Sequence, residues 1–208
     1  MNLKKLILII ALVVSLCFYI KANAIADTLT KLIELQRTIK TIKAEFIQEK
    51  YSELLDKPIT ANGTFFFASP DKFVWDYNEG LKVVSNGEKV LIYYKDIKEA
   101  DIGDIESVPS LPAGFSLEKL KERYRIEVIQ SSSSSSVVKL TPLIPSSMIK
   151  ELLIKLDEKG VPSDIKMIER TQDKIHITFP KKEFNIFIPD ETFSISVPDG
   201  VKVRKRTR

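Results

Sequence analysis

Apolar and polar residues alternate with a period of two through most of this chain, and this pattern constrains the fold more than any other feature. The alternation runs from Ile42 to Ile102 and returns from Tyr124 to Val197. Such segments are typical of strands with one buried face, so we predict a mainly β protein with about a dozen strands. The predicted strands are Ile42–Tyr51, Ile59–Phe67, Lys72–Tyr77, Leu81–Ser85, Val90–Lys95, Ile97–Ile102, Tyr124–Gln130, Val137–Leu143, Ile149–Asp157, Pro162–Glu169, Lys174–Pro180, Phe184–Ile188 and Phe193–Val197.

Two helical segments accompany these strands. Apolar residues recur at helical spacing from Leu29 to Ile39, which predicts an amphipathic helix. A short helix is predicted over Ser116–Glu122, because serine is a favourable N-cap. A wide antiparallel sheet must curl or split into two layers, and two helical segments are too few to cover its concave face. The pattern leaves open both a packed core and a cavity for an apolar ligand.

The N-terminus has the three parts of a secretory signal peptide. Lys4 and Lys5 precede an uncharged apolar run from Leu6 to Ile20, and the small-residue pattern ending at Ala24 follows. We predict cleavage after Ala24 and export of a single domain over residues 25–208. An uncleaved anchor is the alternative, although the apolar run is shorter than the roughly 20 residues of a spanning helix.

Cys17, the only cysteine, lies within this signal. The bulky Leu16 before it does not fit the acylation site of a lipoprotein, so we predict an exported protein without a lipid anchor. The mature chain then has no disulfide, thiolate nucleophile or cysteine metal site. The signal holds three of the 32 basic residues and none of the 28 acidic ones, which leaves a nearly neutral chain with a basic tail over Lys202–Arg208. That tail is either a contact for an anionic partner or a solvated end, and export argues against nucleic acid as a partner.

Catalytic signals are weak. The single histidine, His176, faces opposite its apolar neighbours in a predicted strand, and no Gly-x-Ser-x-Gly motif is present. Asp101, Asp104 and Glu106 lack the glycine and the distal glutamate of a calcium loop. We therefore expect no enzyme, no metal and no cofactor.

Aromatic residues concentrate in two neighbouring strands. Phe65 and Phe67 share one face of the first strand, and Phe73, Trp75 and Tyr77 share one face of the next. The surrounding motifs are Phe46-Ile47-Gln48, Gly63-Thr64-Phe65-Phe66-Phe67, Pro70-Asp71-Lys72-Phe73-Val74-Trp75, Ser85-Asn86-Gly87-Glu88-Lys89-Val90, and Phe193 through Val197-Pro198-Asp199-Gly200-Val201. In this order they resemble the LolA family of periplasmic outer-membrane lipoprotein carriers, over nearly the whole mature chain.

The resemblance implies a strongly curved, half-open antiparallel β-barrel of about eleven strands, with an N-terminal helix and a short helical lid over an apolar cavity. It implies a monomeric carrier that takes lipoproteins by their acyl chains from an inner-membrane lipoprotein-releasing ABC transporter to an outer-membrane acceptor. The residues expected to line the cavity and lid are Phe46, Phe65, Phe67, Phe73, Trp75, Tyr77, Leu91, Tyr93, Leu111, Phe115, Leu117 and Leu120.

One position departs from the family pattern. The family commonly has arginine before the proline of its Pro-x-x-Phe-x-Trp motif, where it hydrogen-bonds to the lid, and this chain has Ser69. Serine makes fewer and weaker contacts than a guanidinium. We therefore predict either a looser lid or a latch supplied by other residues.

Three other functions remain open at this point. The same fold would also suit a glycolipid-binding or lipid-sensing protein, which bound lipids would distinguish from a lipoprotein carrier. An exported hydrolase would depend on His176 together with a serine. A structural envelope protein would leave lipoproteins correctly sorted when depleted.

Overall fold

The computed structural model describes residues 27–104, 116–144 and 147–205. The predicted signal peptide and the predicted lid residues Leu111 and Phe115 lie outside these ranges. The elements are α1 (27–37), β1 (Thr41–Tyr51), β2 (Ile59–Ala68), β3 (Lys72–Tyr77), β4 (Leu81–Asn86), β5 (Lys89–Tyr94), β6 (Glu99–Asp104), α2 (Leu117–Leu120), β7 (Tyr124–Ser131), β8 (Ser135–Pro142), β9 (Ile149–Asp157), β10 (Pro162–Glu169), β11 (Lys174–Phe184), a 3-10 helix (Asp190–Phe193) and β12 (Lys202–Lys205). No helix in the described ranges combines the length and apolar character needed to span a bilayer.

The twelve strands form one sheet in the order β12-β6-β5-β4-β3-β2-β1-β11-β10-β9-β8-β7. Consecutive strands pair as antiparallel hairpins from β2 to β6 and from β7 to β11, and β1 joins the two sets by pairing with β2 and β11. The last strand, β12, pairs in parallel with β6. This curved, open sheet confirms the predicted mainly β fold with an N-terminal helix.

Both faces of the sheet are buried at β3. Phe73 and Trp75 face an interior cluster shared with β1, β2, β11 and both helices, whereas Val74 faces an outer cluster. The outer cluster is covered by Phe193 and by apolar residues of segment 188–201. Segment 188–201 thus covers the outer face of the sheet here, and this is why β3 and β5 carry apolar residues on both of their faces.

β11 differs from the sequence-based prediction, which ended one strand at Pro180 and began another at Phe184. The structure has one strand from Lys174 to Phe184. The register shifts at this point, because Glu45 pairs with Lys181 and Ile47 with Thr178. Phe179 and Pro180 together therefore oppose one residue of β1. A proline has no N–H to donate, and this bulge places it where the ladder is already interrupted.

The C-terminal region is also corrected. Residues 194–197, predicted to form a strand with Phe193, are extended but pair with no strand among the described residues, and their alternation reflects packing on the outer cluster. The basic tail contains a strand, since Lys202–Lys205 pairs with β6. Arg204 Nε donates to Asp101 Oδ1 at 3.0 Å, and its Nη2 lies 3.1 Å from Glu99. Part of the tail's charge is therefore neutralised within the sheet.

Candidate functional site

Aromatic rings fill the interior beneath α1 and α2. The ring centroid of Phe46 lies 4.9 Å from those of Trp75 and of Tyr77, and both pairs are edge-to-face. Phe65 lies 4.7 Å from Trp75, and Phe179 of β11 lies 6.1 Å from Trp75. Edge-to-face pairs at such distances contribute about 0.5–1.5 kcal/mol each beyond their area burial. The predicted aromatic residues of β1, β2 and β3 thus meet in one cluster.

A glycine makes this cluster possible. In the sheet register, Gly63 lies between Phe46 of β1 and Tyr77 of β3. A Cβ at Gly63 would lie 2.1 Å from the Asp76 carbonyl oxygen, which is far inside van der Waals contact. Because this position has no side chain, the ring of Phe46 reaches across β2 to Tyr77.

The aromatic cluster is apolar and carries no charge at neutral pH. The Tyr77 hydroxyl donates to Gln48 Oε1 at 2.9 Å, which satisfies its polar end. Burial raises the pKa of Tyr77 to about 12, because the phenolate would be poorly solvated there. The phenol therefore remains protonated in any physiological environment.

A cavity of about 400 Å³ opens at the edge of this interior. It lies between α1, α2, the β2–β3 turn at residues 69–71, and the β9–β10 turn at residues 158–161. Apolar side chains of Ile33, Ile39, Ile42 and Phe67 contribute to its lining, together with the polar residues Gln36, Arg37, Ser69, Ser116, Glu118, Lys119 and Glu122. The arrangement is an apolar floor with a polar rim.

Helix α2 covers the interior with two leucines. Leu117 and Leu120, which the family resemblance implies as lid residues, are buried in the interior cluster, although the helix is shorter than the predicted Ser116–Glu122. Ser116 is the N-cap, and its hydroxyl accepts from the Lys119 N–H. A helix of four residues has little stability of its own, so these contacts hold it in place.

Polar contacts tie α2 to its surroundings. Arg37 Nη2 lies 2.7 Å from Glu118 Oε1, and this contact raises the pKa of Arg37 and lowers the pKa of Glu118. Lys119 forms an ion pair with Asp71 of the β2–β3 turn. The Leu117 N–H donates to Gln36 Oε1 at 2.9 Å, while Gln36 Nε2 donates to the Gly160 carbonyl oxygen at 2.7 Å.

Ser69 lines the cavity at the position where we predicted a weakened latch. Its backbone N–H donates to the Lys40 carbonyl oxygen at 2.8 Å, which joins the β2–β3 turn to the segment between α1 and β1. The side chains that hold α2 come from elsewhere, namely Gln36, Arg37 and Asp71.

Leu91 and Tyr93 are not part of the interior, in contrast to the sequence-based expectation. Both belong to the outer cluster and line a second cavity of about 390 Å³ beneath segment 191–198. Alternation correctly places them on one face of β5. The opposite face, with Val90 and Ile92, is the one that contacts the interior cluster.

The geometry around His176 differs from that of a catalytic triad. Its Nε2 lies 2.6 Å from Asp164 Oδ2, and its Nδ1 lies 3.6 Å from Glu49 Oε2. A triad needs a nucleophile hydroxyl at one ring nitrogen and a carboxylate at the other. Here both ring nitrogens face carboxylates.

The acidic residues considered for calcium are engaged by basic residues. Asp101 accepts from Arg204, and Asp104 pairs with Lys89, whereas Glu106 lies outside the described residues. Within the described ranges, no group of three or more histidine, cysteine, aspartate or glutamate side chains is arranged to hold a metal ion.

Several residues of the site were missed from sequence, among them Ile33, Ile39 and Ile42 of the cavity lining, Phe179 and Gln36. Phe179 continues the apolar alternation of Ile175 and Ile177, so the period could have identified it. Gln36 carried no such signal. Its two partners are 81 and 124 residues away along the chain, and only the folded sheet brings them together.

Comparison with known proteins places the chain in a family. The sequence model of the family described as outer membrane lipoprotein carrier protein LolA matches residues 37–196. A relative called outer-membrane lipoprotein carrier protein, from Chromohalobacter salexigens, is 24% identical over 93% of this chain and 94% of its own. One of the same name from Pseudomonas entomophila is 24% identical over 88% and 91%.

Similarity to solved structures concerns the fold alone. An uncharacterized conserved protein from Thermus thermophilus superposes with a TM-score of 0.53 at 10% identity, over 87% of this chain and 99% of that one. The family match covers most of the chain, including α2, the aromatic strands and the β9–β10 turn. The chain therefore belongs to the LolA family of outer-membrane lipoprotein carrier proteins.

Proposed function

We propose that this protein is a soluble periplasmic carrier that binds the acyl chains of lipoproteins released from the inner membrane and delivers them to the outer membrane. The observation that carries the proposal is the aromatic interior beneath α2, with a cavity already open at its edge. Family membership and the names of the relatives support the same role.

The physical demand on such a carrier is large. Each CH₂ group exposed to water costs about 0.8 kcal/mol, so an anchor with several acyl chains cannot cross an aqueous space unshielded. The cavity of about 400 Å³ is within the range of about 300–1,000 Å³ for small-ligand pockets. A multi-chain anchor needs more room, which the interior supplies when Leu117 and Leu120 withdraw.

Release requires that the open and closed states differ by only a few kcal/mol. A four-residue helix held by two leucines and a few polar contacts suits this requirement, because α2 can leave the interior without breaking any strand pairing. We further propose that the chain acts as a monomer without catalysis. An inner-membrane lipoprotein-releasing ABC transporter would supply the energy for loading, and an outer-membrane acceptor would receive the cargo.

The test is to identify what the protein carries. The full chain, with its own signal peptide, is produced in a bacterium with two membranes, purified from the periplasm and examined by native mass spectrometry. Bound acylated lipoproteins are the expected result. Free glycolipids or phospholipids alone, or loss of a measured hydrolase activity in His176→Ala, would contradict the carrier function.

A matched pair of variants ties the cargo to the cavity. Phe67 lines the cavity, whereas its neighbour Phe66 packs on the outer cluster. We expect Phe67→Trp to reduce the bound lipoprotein because the larger ring occupies the cavity floor, and we expect Phe66→Trp to retain it. Urea unfolding of both variants shows whether the loss follows from the cavity or from reduced stability.

A further inference from the structure

Gln36 joins α1 both to α2 and to the β9–β10 turn at the edge of the cavity through hydrogen bonds of its side-chain amide. Its carbonyl oxygen accepts from the first N–H of α2, at 2.9 Å, and its amide nitrogen donates to the Gly160 carbonyl oxygen, at 2.7 Å. We propose that Gln36 is a positioning residue that holds α2 closed and thereby sets the rate at which the interior opens to ligand. This inference deepens the proposed carrier function and rests on it.

The acceptor side of this contact is held rigid. Asp157 Oδ1 accepts from the backbone N–H groups of Lys159 and Val161, which shapes the β9–β10 turn. Gly160 has a φ of +74°, and a Cβ there would lie 3.2 Å from the Leu32 carbonyl oxygen. The turn therefore approaches α1 closely and presents its carbonyl to Gln36 without rearrangement.

The ion pairs beside Gln36 are less suited to this role. The side chains of Arg37 and Glu118 are 62% and 54% exposed, and ion pairs at such positions contribute little and are screened by salt. Lys119 in the pair with Asp71 is also half exposed. Gln36 is half-buried, uncharged and engaged at both ends, so its contacts are independent of salt and of pH.

The amide group matters because it donates and accepts at the same time. A carboxylate at position 36 can accept from the Leu117 N–H, but it cannot donate to Gly160 and would repel that carbonyl oxygen. A protonated carboxyl group can again accept from the Leu117 N–H and donate to the Gly160 carbonyl oxygen. Gln36→Glu should therefore open the interior at neutral pH and close it in acid, a reversal that general damage to the fold would not produce.

Trp75 provides a readout that needs no ligand. It is the only tryptophan, and its side chain is fully buried in the interior. Quenching of its fluorescence by acrylamide measures opening. A second readout is the displacement rate of a bound fluorescent fatty acid, dansyl-undecanoic acid, by excess oleate.

We expect Gln36→Glu at pH 7 to raise the displacement rate about tenfold, the scale of one lost hydrogen bond together with repulsion between the carboxylate and the Gly160 carbonyl oxygen, and to raise Trp75 quenching. At pH 4 both should return to near wild-type values. Gln36→Met keeps the length of the side chain but makes neither hydrogen bond. Its displacement rate and its Trp75 quenching should therefore be raised at both pH values. Wild type and variants have the same charged groups facing the cavity, namely Arg37, Glu118, Lys119 and Glu122. Each variant is therefore compared with the wild type at the same pH.

Gln130→Glu, at an exposed position of β7, is the matched control and should behave as wild type. The inference is overturned if Gln36→Met leaves quenching unchanged, or if Gln36→Glu raises it equally at pH 7 and pH 4. Absence of fatty-acid binding by the wild type would count against the carrier function instead. The Trp75 measurement would still decide the role of Gln36.

Discussion

Leu117→Ala tests whether α2 opens separately from the rest of the fold. Leu117 is 1% exposed in the interior cluster, and replacing a buried leucine by alanine costs about 2–5 kcal/mol. Helix α2 has four residues and no strand pairing, so we assign this cost to the closed state of α2 alone. A cost near 3 kcal/mol would raise the open population about 100-fold.

The measurement compares opening with global stability. We expect Leu117→Ala to raise acrylamide quenching of Trp75 strongly, while the free energy of unfolding in urea changes by less than about 1 kcal/mol, because the unfolding midpoint reports the sheet. The change in the free energy of unfolding is small because α2 has already left the interior cluster before the strands separate.

Leu152→Ala is the matched control. Leu152 is also 1% exposed in the same cluster, but it lies on β9, between β8 and β10. Its substitution should lower the free energy of unfolding by about 2–5 kcal/mol and leave Trp75 quenching nearly unchanged. If Leu117→Ala lowers the unfolding free energy as much as Leu152→Ala and leaves quenching unchanged, α2 is an integral part of the core and the reasoning is refuted.

The interior and its rim give three further predictions. Gly63→Ala should lower the free energy of unfolding by about 3 kcal/mol or more, because its Cβ would meet a backbone oxygen, whereas Gly200→Ala, with open space around it, should cost only about 1–2 kcal/mol of backbone strain in the same urea titration. Since the pKa of Tyr77 rises to about 12, its neutral form contributes stability in full below pH 10, and about 3 kcal/mol of this is lost between pH 10 and 12; Tyr77→Phe should remove that dependence. The pKa of Glu118 is lowered by Arg37, so the small contribution of this exposed pair to closure is present above the ordinary glutamate pKa and is lost as the pH falls through the lowered pKa. Wild type should therefore show a small rise in Trp75 quenching in acid, and Glu118→Gln should lack it.

Local pattern was sufficient for most strands. The predicted bounds of β3, β9 and β10 agree with the structure at both ends, because alternation and turn residues act over a few neighbouring positions. The pattern failed at Pro180, where a bulge in the pairing with β1 tolerates a residue that normally ends a strand. A bulge is a property of two strands together, so neither sequence segment alone reveals it.

Faces were harder to assign than strands. Alternation separates Phe73 and Trp75 from Val74, and Val90 from Leu91, but it does not say which set faces the interior when both are apolar. The assignment of Leu91 and Tyr93 to the cavity failed for this reason. Segment 188–201 covers the other face, and its packing depends on contacts more than 80 residues apart along the chain.

The sequence by itself determined the β-rich class, the aromatic strands and the two helical segments, because these follow from the spacing of apolar residues along a few turns or strands. Only the tertiary structure decided how α2 is held over the cavity. The contacts of Gln36 join α1, α2 and the β9–β10 turn across the curved sheet. Hydrogen bonds between such distant segments leave no periodic trace in the sequence, since they depend on where the whole sheet brings each backbone group.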